Sequence, residues 1–257
     1  MFGSKHLQKI ASLEQQLDRA NAVLRALDRS TAVIELALDG TILTANQNFC
    51  ATMGYRSDEL QGQHHRHLCH DSFTSSAEYT TLWSRLRAGE FYQGTIKRRH
   101  KNGQDVWLEA SYNPVTDASG KISHVVKFAH DVSQQVEEAS RMRAMVEAIE
   151  RSMAVIEFSL DGIVLRANDN FLRTMGYRPE QVVGQHHRMF CRSVFAQSQE
   201  YSRFWANLGR GEFVSGQFAR VDSRGQEIWL EASYNPVFGP DGKASKIVKF
   251  ASDITQQ

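Results

Sequence analysis

The 257-residue chain is long enough for two domains of ordinary size, and its 30 Lys and Arg residues nearly balance its 29 Asp and Glu residues. This balance gives no net field that would favour nucleic acid or an anionic membrane as a partner. We find no apolar run of about 18 residues that could span a membrane and no apolar signal core at the N-terminus. Three cysteines cannot form a disulfide framework, so we expect a reducing, cytoplasmic compartment.

Residues 1–30 are predicted to form a helix, because residues 5–29 contain neither Gly nor Pro. Apolar residues recur there alternately every three and four positions, which is typical of a coiled-coil seam. Two interpretations remain open, an amphipathic helix folded onto its own domain and a coiled coil that forms a homodimer. The seam residues are Ile10, Leu13, Leu17, Ala20, Leu24 and Leu27.

The next domain, residues 31–135, begins with a predicted hairpin. Residues 32–38 are apolar enough for a strand, Asp39-Gly40 is a turn signal, and residues 41–45 form the return strand. Asn46 is a candidate N-cap for the short helix that follows.

Ser75-Ser76-Ala77-Glu78 has the form of a capping box and predicts a longer helix that ends at Gly89. Three strands then follow, at 91–100, 105–115 and 123–131. Together with the first hairpin, they predict an α+β fold in which short helices lie on one face of a five-stranded antiparallel sheet.

An internal repeat fixes the organisation of the remaining chain. The nine residues 107–115 recur unchanged at 229–237, and the same offset of 122 holds without a gap from Ala32 to the last residue. A repeat unit of this length is a duplicated domain rather than a solenoid repeat. We therefore expect a connecting helix at 136–152, with its own three-four apolar seam, and a second domain at 153–257 that folds like the first.

Both copies carry a dense set of short motifs in register. They include Asp39-Gly40, Ala45-Asn46, Met53-Gly54-Tyr55, Gly89-Glu90-Phe91, Asp131-Val132-Ser133 and, at the end of the second copy, Asp253-Ile254-Thr255. With these motifs each copy resembles a PAS (Per-Arnt-Sim) domain. Gly-Gln-His-His-Arg followed by Trp-Leu-Glu-Ala-Ser-Tyr-Asn-Pro also resembles the paired PAS modules of soluble bacterial methyl-accepting chemotaxis transducers. That resemblance implies a sensory function and a methyl-accepting or other output domain C-terminal to this chain, which is then a fragment unless the copies act alone.

The stretch from His64 to His70 holds four imidazoles and a thiol, a set that can bind zinc, copper or haem iron. Only two of those histidines and the cysteine recur in the second copy, so a four-ligand zinc site would be confined to the first. Haem is the leading candidate cofactor. The alternative is that the histidines bond to backbone at helix ends or line an empty cleft. The candidate ligands, should haem bind, are His64, His65, His186 and His187.

Noncovalent flavin is the second candidate, and the absence of any cofactor is the third possibility. Flavin-binding light-oxygen-voltage PAS domains carry Gly-x-Asn-Cys-Arg where this chain has Gly-Gln-His-His-Arg. His65 and His187 therefore occupy the position of the reactive cysteine, and we expect no covalent photoadduct. Arg66 and Arg188 match the arginine which that family uses on the flavin phosphate.

The strand at 105–115 has two faces because side chains alternate along it. By analogy with PAS domains, the face that carries Leu108, Ala110 and Tyr112 lines the ligand pocket, whereas Trp107 and Glu109 lie outside. The pocket candidates in the two copies are Leu108, Tyr112, Leu230 and Tyr234.

Motifs for nucleophilic catalysis, phosphate binding or metalloprotease chemistry are missing, and basic residues are scattered among acidic ones. We therefore predict a non-enzymatic sensory module that binds a small molecule or cofactor and relays the change through helices. The alternatives are a dimerisation scaffold without a ligand, and a metal- or haem-binding redox or gas sensor. Divergence around the cleft, for example Lys97 to Ala219, predicts that the two copies differ in function.

Overall fold

A computed structural model describes the backbone of residues 2–256 and the side chains of residue 6 and residues 8–256. The chain forms two compact units, and the boundary between them lies between Ser140 and Arg141. Each unit contains one copy of the repeat.

From residue 2 up to the end of β5, the first unit contains one long helix, four short ones and five strands, together with a 3-10 turn at His65–Leu68. In chain order they are α1 (Phe2–Ser30), β1 (Ala32–Leu36), β2 (Ile42–Ala45), α2 (Gln47–Met53), α3 (Ser57–Leu60), α4 (Asp71–Thr74), α5 (Ala77–Arg87), β3 (Tyr92–Arg99), β4 (Asp105–Thr116) and β5 (Ile122–Asp131). Helix α6 (Ser133–Ser152) follows directly and crosses the boundary between the units.

The second unit repeats this order, with its 3-10 turn at His187–Phe190. Its elements are β6 (Ala154–Phe158), β7 (Val164–Ala167), α7 (Asp169–Met175), α8 (Pro179–Val182), α9 (Ser193–Ala196), α10 (Gln199–Gly209), β8 (Val214–Val221), β9 (Glu227–Phe238) and β10 (Ala244–Asp253).

Each unit has one five-stranded antiparallel sheet, in the order β2-β1-β5-β4-β3 and β7-β6-β10-β9-β8. The predicted α+β class and the like folding of the two copies are therefore confirmed. Strand β1 ends at Leu36 rather than at the predicted residue 38, because a register shift after Glu35 precedes the turn that the bond from Ala37 N to Thr41 O closes at 2.8 Å.

The core of each unit lies on one face of its sheet, and strand alternation determines which side chains reach it. On β4, Leu108 and Tyr112 are fully buried, whereas Glu109 is exposed on the other face. Leu230 and Tyr234 are equally buried on β9. Their burial shows that these four side chains point into the core, since period-two alternation fixes both faces of a strand once one is known. Their role in lining a ligand pocket stays a prediction, and Leu108 and Tyr112 do not line the cleft described below.

Two asparagines connect the helices to the sheets. Asn46 caps α2 as predicted, because its Oδ1 accepts from Phe49 N at 2.9 Å, and the same atom accepts from Val33 N of β1. Its amide nitrogen donates to Thr31 O at 2.8 Å, just after the end of α1. Asn168 makes the corresponding bonds to Phe171 N and Val155 N and donates to the carbonyl groups of Glu150 and Met153 at the end of α6. A single side chain thus joins a long helix, a strand and a short helix in each unit.

The N-terminal end of α6 is bonded to the first sheet. Trp107 N donates to Ser133 Oγ at 2.9 Å, Val132 N donates to Trp107 O at 2.8 Å, and Ser133 N donates to Asp131 Oδ1. The first turn of α6 is therefore tied by hydrogen bonds to β4 and to the end of β5.

Candidate functional site

The site begins at the 3-10 turn that carries the consecutive histidines. His64 caps this turn, because its Nδ1 accepts from Arg66 N at 3.1 Å while its Nε2 lies 2.8 Å from Asp39 O. The ring lies against Gly40, where a Cβ atom would come within 2.6 Å of it, so this glycine leaves room for the cap. His186 caps the equivalent turn in the second unit. These two histidines thus bond to backbone at a helix end, as one of the sequence interpretations holds.

His65 points the opposite way, into the core, and its ring is completely buried. Its Nδ1 lies 3.2 Å from the hydroxyl group of Tyr79 on α5, and its Nε2 lies 3.0 Å from the hydroxyl group of Tyr112 on β4. Arg98 on β3 donates through Nη2 to the Tyr112 hydroxyl group at 2.9 Å. An arginine can only donate, so we assign the Tyr112 proton to the bond with His65 Nε2 and the imidazole proton to Nδ1.

The second unit contains the same network. His187 Nδ1 and Nε2 each lie 3.0 Å from a tyrosine hydroxyl group, those of Tyr201 and Tyr234 respectively. Arg220 donates to Tyr234 at 3.0 Å. Four elements converge to build it, so in both copies the network couples the 3-10 turn to one helix and two strands.

Burial sets the protonation state of this network. It holds the pKa of His65 well below the usual 6.5, and the positive charges of Arg98 and Lys127 act in the same direction. Burial also raises the pKa of Tyr112 to about 12. The imidazole and the phenol are therefore both neutral at pH 7, as their hydrogen bonds require.

The cysteine beside each buried histidine is not set up as a nucleophile. Cys69 Sγ lies 3.8 Å from His65 Nδ1, and Cys191 Sγ lies 3.7 Å from His187 Nδ1. Burial raises the pKa of both thiols, which favours the protonated form over the reactive thiolate.

Each core contains two basic side chains whose burial was not predicted from the sequence. Arg98 is 2 % exposed and Lys127 fully buried, and within the described chain neither forms an ion pair with a carboxylate. Lys127 Nζ has no hydrogen-bond partner there and lies 4.8 Å from the Tyr112 ring, its cross-strand neighbour. Burial, followed by the charge of Arg98, places the pKa of Lys127 well below 10.5. In the second unit the equivalent residues are Arg220 and Lys249, which are buried as well. The sequence feature that indicates their burial is that both basic residues recur at the offset of 122, on strand positions that face the core.

A cleft of about 760 Å³ opens beside this network in the first unit, between α5 and β3. Its apolar wall includes Phe73, Leu82, Tyr92 and Ile96, and Arg98 is its most buried lining residue. This volume falls in the range of small-molecule sites.

Aromatic side chains replace the smaller residues at this place in the second unit. Phe204 and Phe218 stand where the first unit has Leu82 and Ile96, and their rings lie 4.8 and 5.4 Å from the Tyr234 ring. Phe158 and Phe190 likewise replace Leu36 and Leu68 beside the buried histidine. The two copies thus share one polar network but differ in the space beside it.

The side chains of the histidine-rich stretch 64–70 point in different directions and do not form a metal site. His67 is exposed and contacts the Tyr55 ring, while His70 Nε2 lies 2.9 Å from Asp105 Oδ1. Within the described residues, no group of three His, Cys, Asp or Glu side chains could hold a metal ion.

The residues present do not fit a haem ligand. His65 and His187 have both ring nitrogens engaged by tyrosines, and His64 and His186 use a ring nitrogen to cap a turn, so an iron atom would have to displace these bonds. The flavin set is not brought together either, because Arg66 and Arg188 are exposed and do not line the cleft.

Comparison with known proteins agrees with this architecture. The profile of the family described as PAS fold matches residues 42–129 and again residues 164–251. The chain belongs to the PAS family. Tandem PAS domains, inferred from the repeat, are thereby confirmed.

Two known proteins are similar to this chain in sequence. The chain is 48% identical to the biofilm dispersion protein BdlA of Pseudomonas aeruginosa over 234 residues, which cover 91% of this chain and 56% of that protein. It is 35% identical to the aerotaxis receptor of Escherichia coli over 96 residues, which cover 37% of this chain and 19% of the receptor. The chain thus spans about half the length of the first relative and a fifth of the second. The predicted resemblance to bacterial taxis transducers is confirmed at this level.

Among solved structures, a PAS domain from Colwellia psychrerythraea matches with 19% identity and a TM-score of 0.41, covering 45% of this chain and 98% of that one. Among residues 2–256, none of the helices has both the length and the apolar character that crossing a bilayer requires.

Proposed function

We propose that this chain is the cytoplasmic, non-enzymatic sensory part of a chemotaxis-type transducer, in which the first PAS domain binds a small molecule. The difference between the two cores carries this proposal. The first copy keeps a cleft beside the buried network, whereas phenyl rings occupy the corresponding place in the second. The similarity to an aerotaxis receptor supports a role in taxis signalling.

The signal leaves the first domain through β4 and α6. Ile96 and Arg98 of the cleft lie on β3, which pairs with β4, and Trp107 of β4 is bonded to Ser133 in the first turn of α6. If β3 can adopt two conformations, a ligand that binds one of them more tightly than the other shifts the population toward the tighter-binding one. Helix α6 carries that shift to the second domain, from which it reaches the output domain that we place C-terminal to the second copy.

A homodimer completes the proposed signalling unit. Leu17 and Leu24 on α1 are each 61% exposed, and Met142 on α6 is 63% exposed. The first unit therefore does not cover the seam of α1. A row of exposed apolar residues at heptad spacing matches a second copy of the same helix, because each seam residue then fills a hole in its partner.

The proposal predicts a ligand-dependent rise in melting temperature that belongs to the first domain. We expect that screening the full chain against small metabolites identifies compounds that bind the cleft. At a hundredfold excess over Kd such a compound stabilises the folded state by about 2.7 kcal/mol. For a domain of this size that corresponds to a rise in Tm of roughly 10 °C.

The two copies supply their own matched controls. The double variant Leu82→Phe/Ile96→Phe gives the first cleft the aromatic residues of the second domain. In this variant the compounds should no longer raise the melting temperature. The reverse variant, Phe204→Leu/Phe218→Ile, leaves the first cleft intact and should keep the rise. Failure of every compound to shift the wild type, or equal shifts in the filled variant, would contradict ligand binding at this site.

The ring-filled core of the second domain favours a second role for that copy. Phe158, Phe204 and Phe218 all contact the Tyr234 ring, which leaves the second domain packed by its own side chains. We propose that it acts as a scaffold that holds α6 through Asn168 and Asn170.

A further inference from the structure

Arg98 is a buried cation whose charge is not neutralised. It is 2 % exposed, donates to Lys97 O at 2.7 Å and to the Tyr112 hydroxyl group at 2.9 Å, and has no hydrogen-bond partner at Nε within the described chain. Both acceptors are uncharged. A buried guanidinium group without an anionic partner carries a substantial desolvation cost, and two neutral acceptors offset only part of it.

The other basic residues of the cleft already have carboxylate partners. Arg85 Nε lies 2.7 Å from Glu90 Oε2, and Lys97 Nζ lies 2.5 Å from Asp105 Oδ2. His70 contacts the same aspartate. Arg98 therefore differs from its neighbours, since no acidic side chain of the described chain pairs with it although it lines the cleft.

The second domain places a phenyl ring where the first has open space. The guanidinium carbon of Arg220 lies 5.9 Å from the centre of the Phe195 ring and 5.1 Å from that of Phe218. In the first domain, Arg98 contacts Phe73 at 5.0 Å, but Ile96 stands in place of Phe218. An aromatic face partly compensates a cation. The first domain lacks this second ring and has the cleft instead.

We propose that the ligand of the first domain is an amphiphilic anion, a carboxylate on an apolar body, whose carboxylate group binds Arg98. This inference rests on the proposed function, because it names the ligand class for the same cleft. The carboxylate group binds the guanidinium group of Arg98 at the buried end of the cleft, and the apolar body lies against Phe73, Leu82 and Ile96. Charge-assisted bonds from arginine to carboxylate are among the strongest that a protein side chain makes.

Two probes of the same shape and different charge test the inference. Naphthalene-1-acetate and naphthalene-1-acetamide are titrated into the full chain by calorimetry. We expect the wild type to bind the acetate about 10- to 100-fold more tightly, the range for a hydrogen bond to a charged group. Arg98→Met should abolish this preference while the amide still binds, and Arg220→Met should leave it unchanged.

Further variants keep the test decisive if Arg98→Met fails to fold. Arg98→Lys retains the charge without the planar fork and should weaken the acetate more than the amide. Ile96→Phe leaves Arg98 in place and should weaken both probes alike.

Equal affinity of the wild type for the two probes overturns the inference and leaves the proposed function intact. If neither probe binds, the charge of the compounds that raise the melting temperature decides the question. Compounds that are all neutral or cationic overturn the inference but leave the proposed function intact. Absence of both probe binding and any melting shift overturns the proposed function together with it.

Discussion

Replacing His65 with leucine should strongly destabilise the first domain. The leucine leaves the hydroxyl groups of Tyr79 and Tyr112 without the imidazole that bonds both of them. Each buried polar group that loses its partner costs about 1–3 kcal/mol. Urea unfolding of the full chain at pH 8, where the imidazole is neutral in both the folded and the unfolded state, measures this loss.

The same substitution should change the pH dependence. Because the pKa of folded His65 lies well below 6.5, the unfolded chain takes up a proton first as the pH falls below that value. The wild type therefore loses stability below pH 6.5, by up to about 1.4 kcal/mol per pH unit from this group. In His65→Leu this contribution disappears, so the variant should lose less between pH 6.5 and 5.

His130→Leu serves as the control, since His130 is exposed on the last strand of the same unit. Its free energy of unfolding should equal that of the wild type at pH 8, and it should fall by the same amount between pH 6.5 and 5. An unchanged free energy of unfolding in His65→Leu, together with a wild-type pH slope, would show that the buried network does not stabilise the fold.

Placing charge in the seam of α1 should separate the dimer. In Leu17→Asp/Leu24→Asp, two residues of each helix that would be buried against a partner become anionic. Burying a leucine contributes roughly 1.5–3 kcal/mol. Four lost leucines per dimer should raise the dissociation constant at least about a thousandfold. Sedimentation should show a wild-type dimer at tens of micromolar and a variant monomer with both domains folded.

The control places the same charges on the opposite face of α1. Gln15→Asp/Ala22→Asp should remain dimeric, because neither position belongs to the seam. A wild type that is already monomeric at this concentration, or a seam variant that stays dimeric, would rule out this interface.

The framework could be predicted from the sequence because its signals are local. Asp39-Gly40 and the alternation through Leu108 and Tyr112 reflect turn geometry and strand periodicity, and the structure reproduces both. The offset of 122 then required the second fold to match the first.

The candidate site was less predictable. His64 and His65 are adjacent, yet one caps a turn and the other enters the core, because a single 3-10 turn imposes no period that a sequence can display. The partners of His65 come from α5 and β4, so only tertiary structure brings them together. The candidate roles for haem and flavin relied on sequence position alone, and the bonds of His65 and the exposure of Arg66 disagree with them.

Lys127 and Arg98 were missed for a different reason. A charged residue on a strand is ordinarily assigned to the solvent face, since burying an unpaired charge is costly. Lys127 nevertheless lies between the inward residues Val125 and Ala129, and Arg98 follows Ile96 on the same face. Two identical cations at equivalent inward positions of both copies were the available signal.

Hydrogen exchange of the backbone amides in α6 tests most directly whether the cleft communicates with the helix. The full chain is measured with and without a saturating compound from the melting screen, beside Leu82→Phe/Ile96→Phe. We predict that the compound changes protection in β3, in β4 and in the first turns of α6, starting at Ser133, in the wild type alone. Protection of α6 that stays the same while β3 becomes protected would contradict the proposed relay from the first PAS domain.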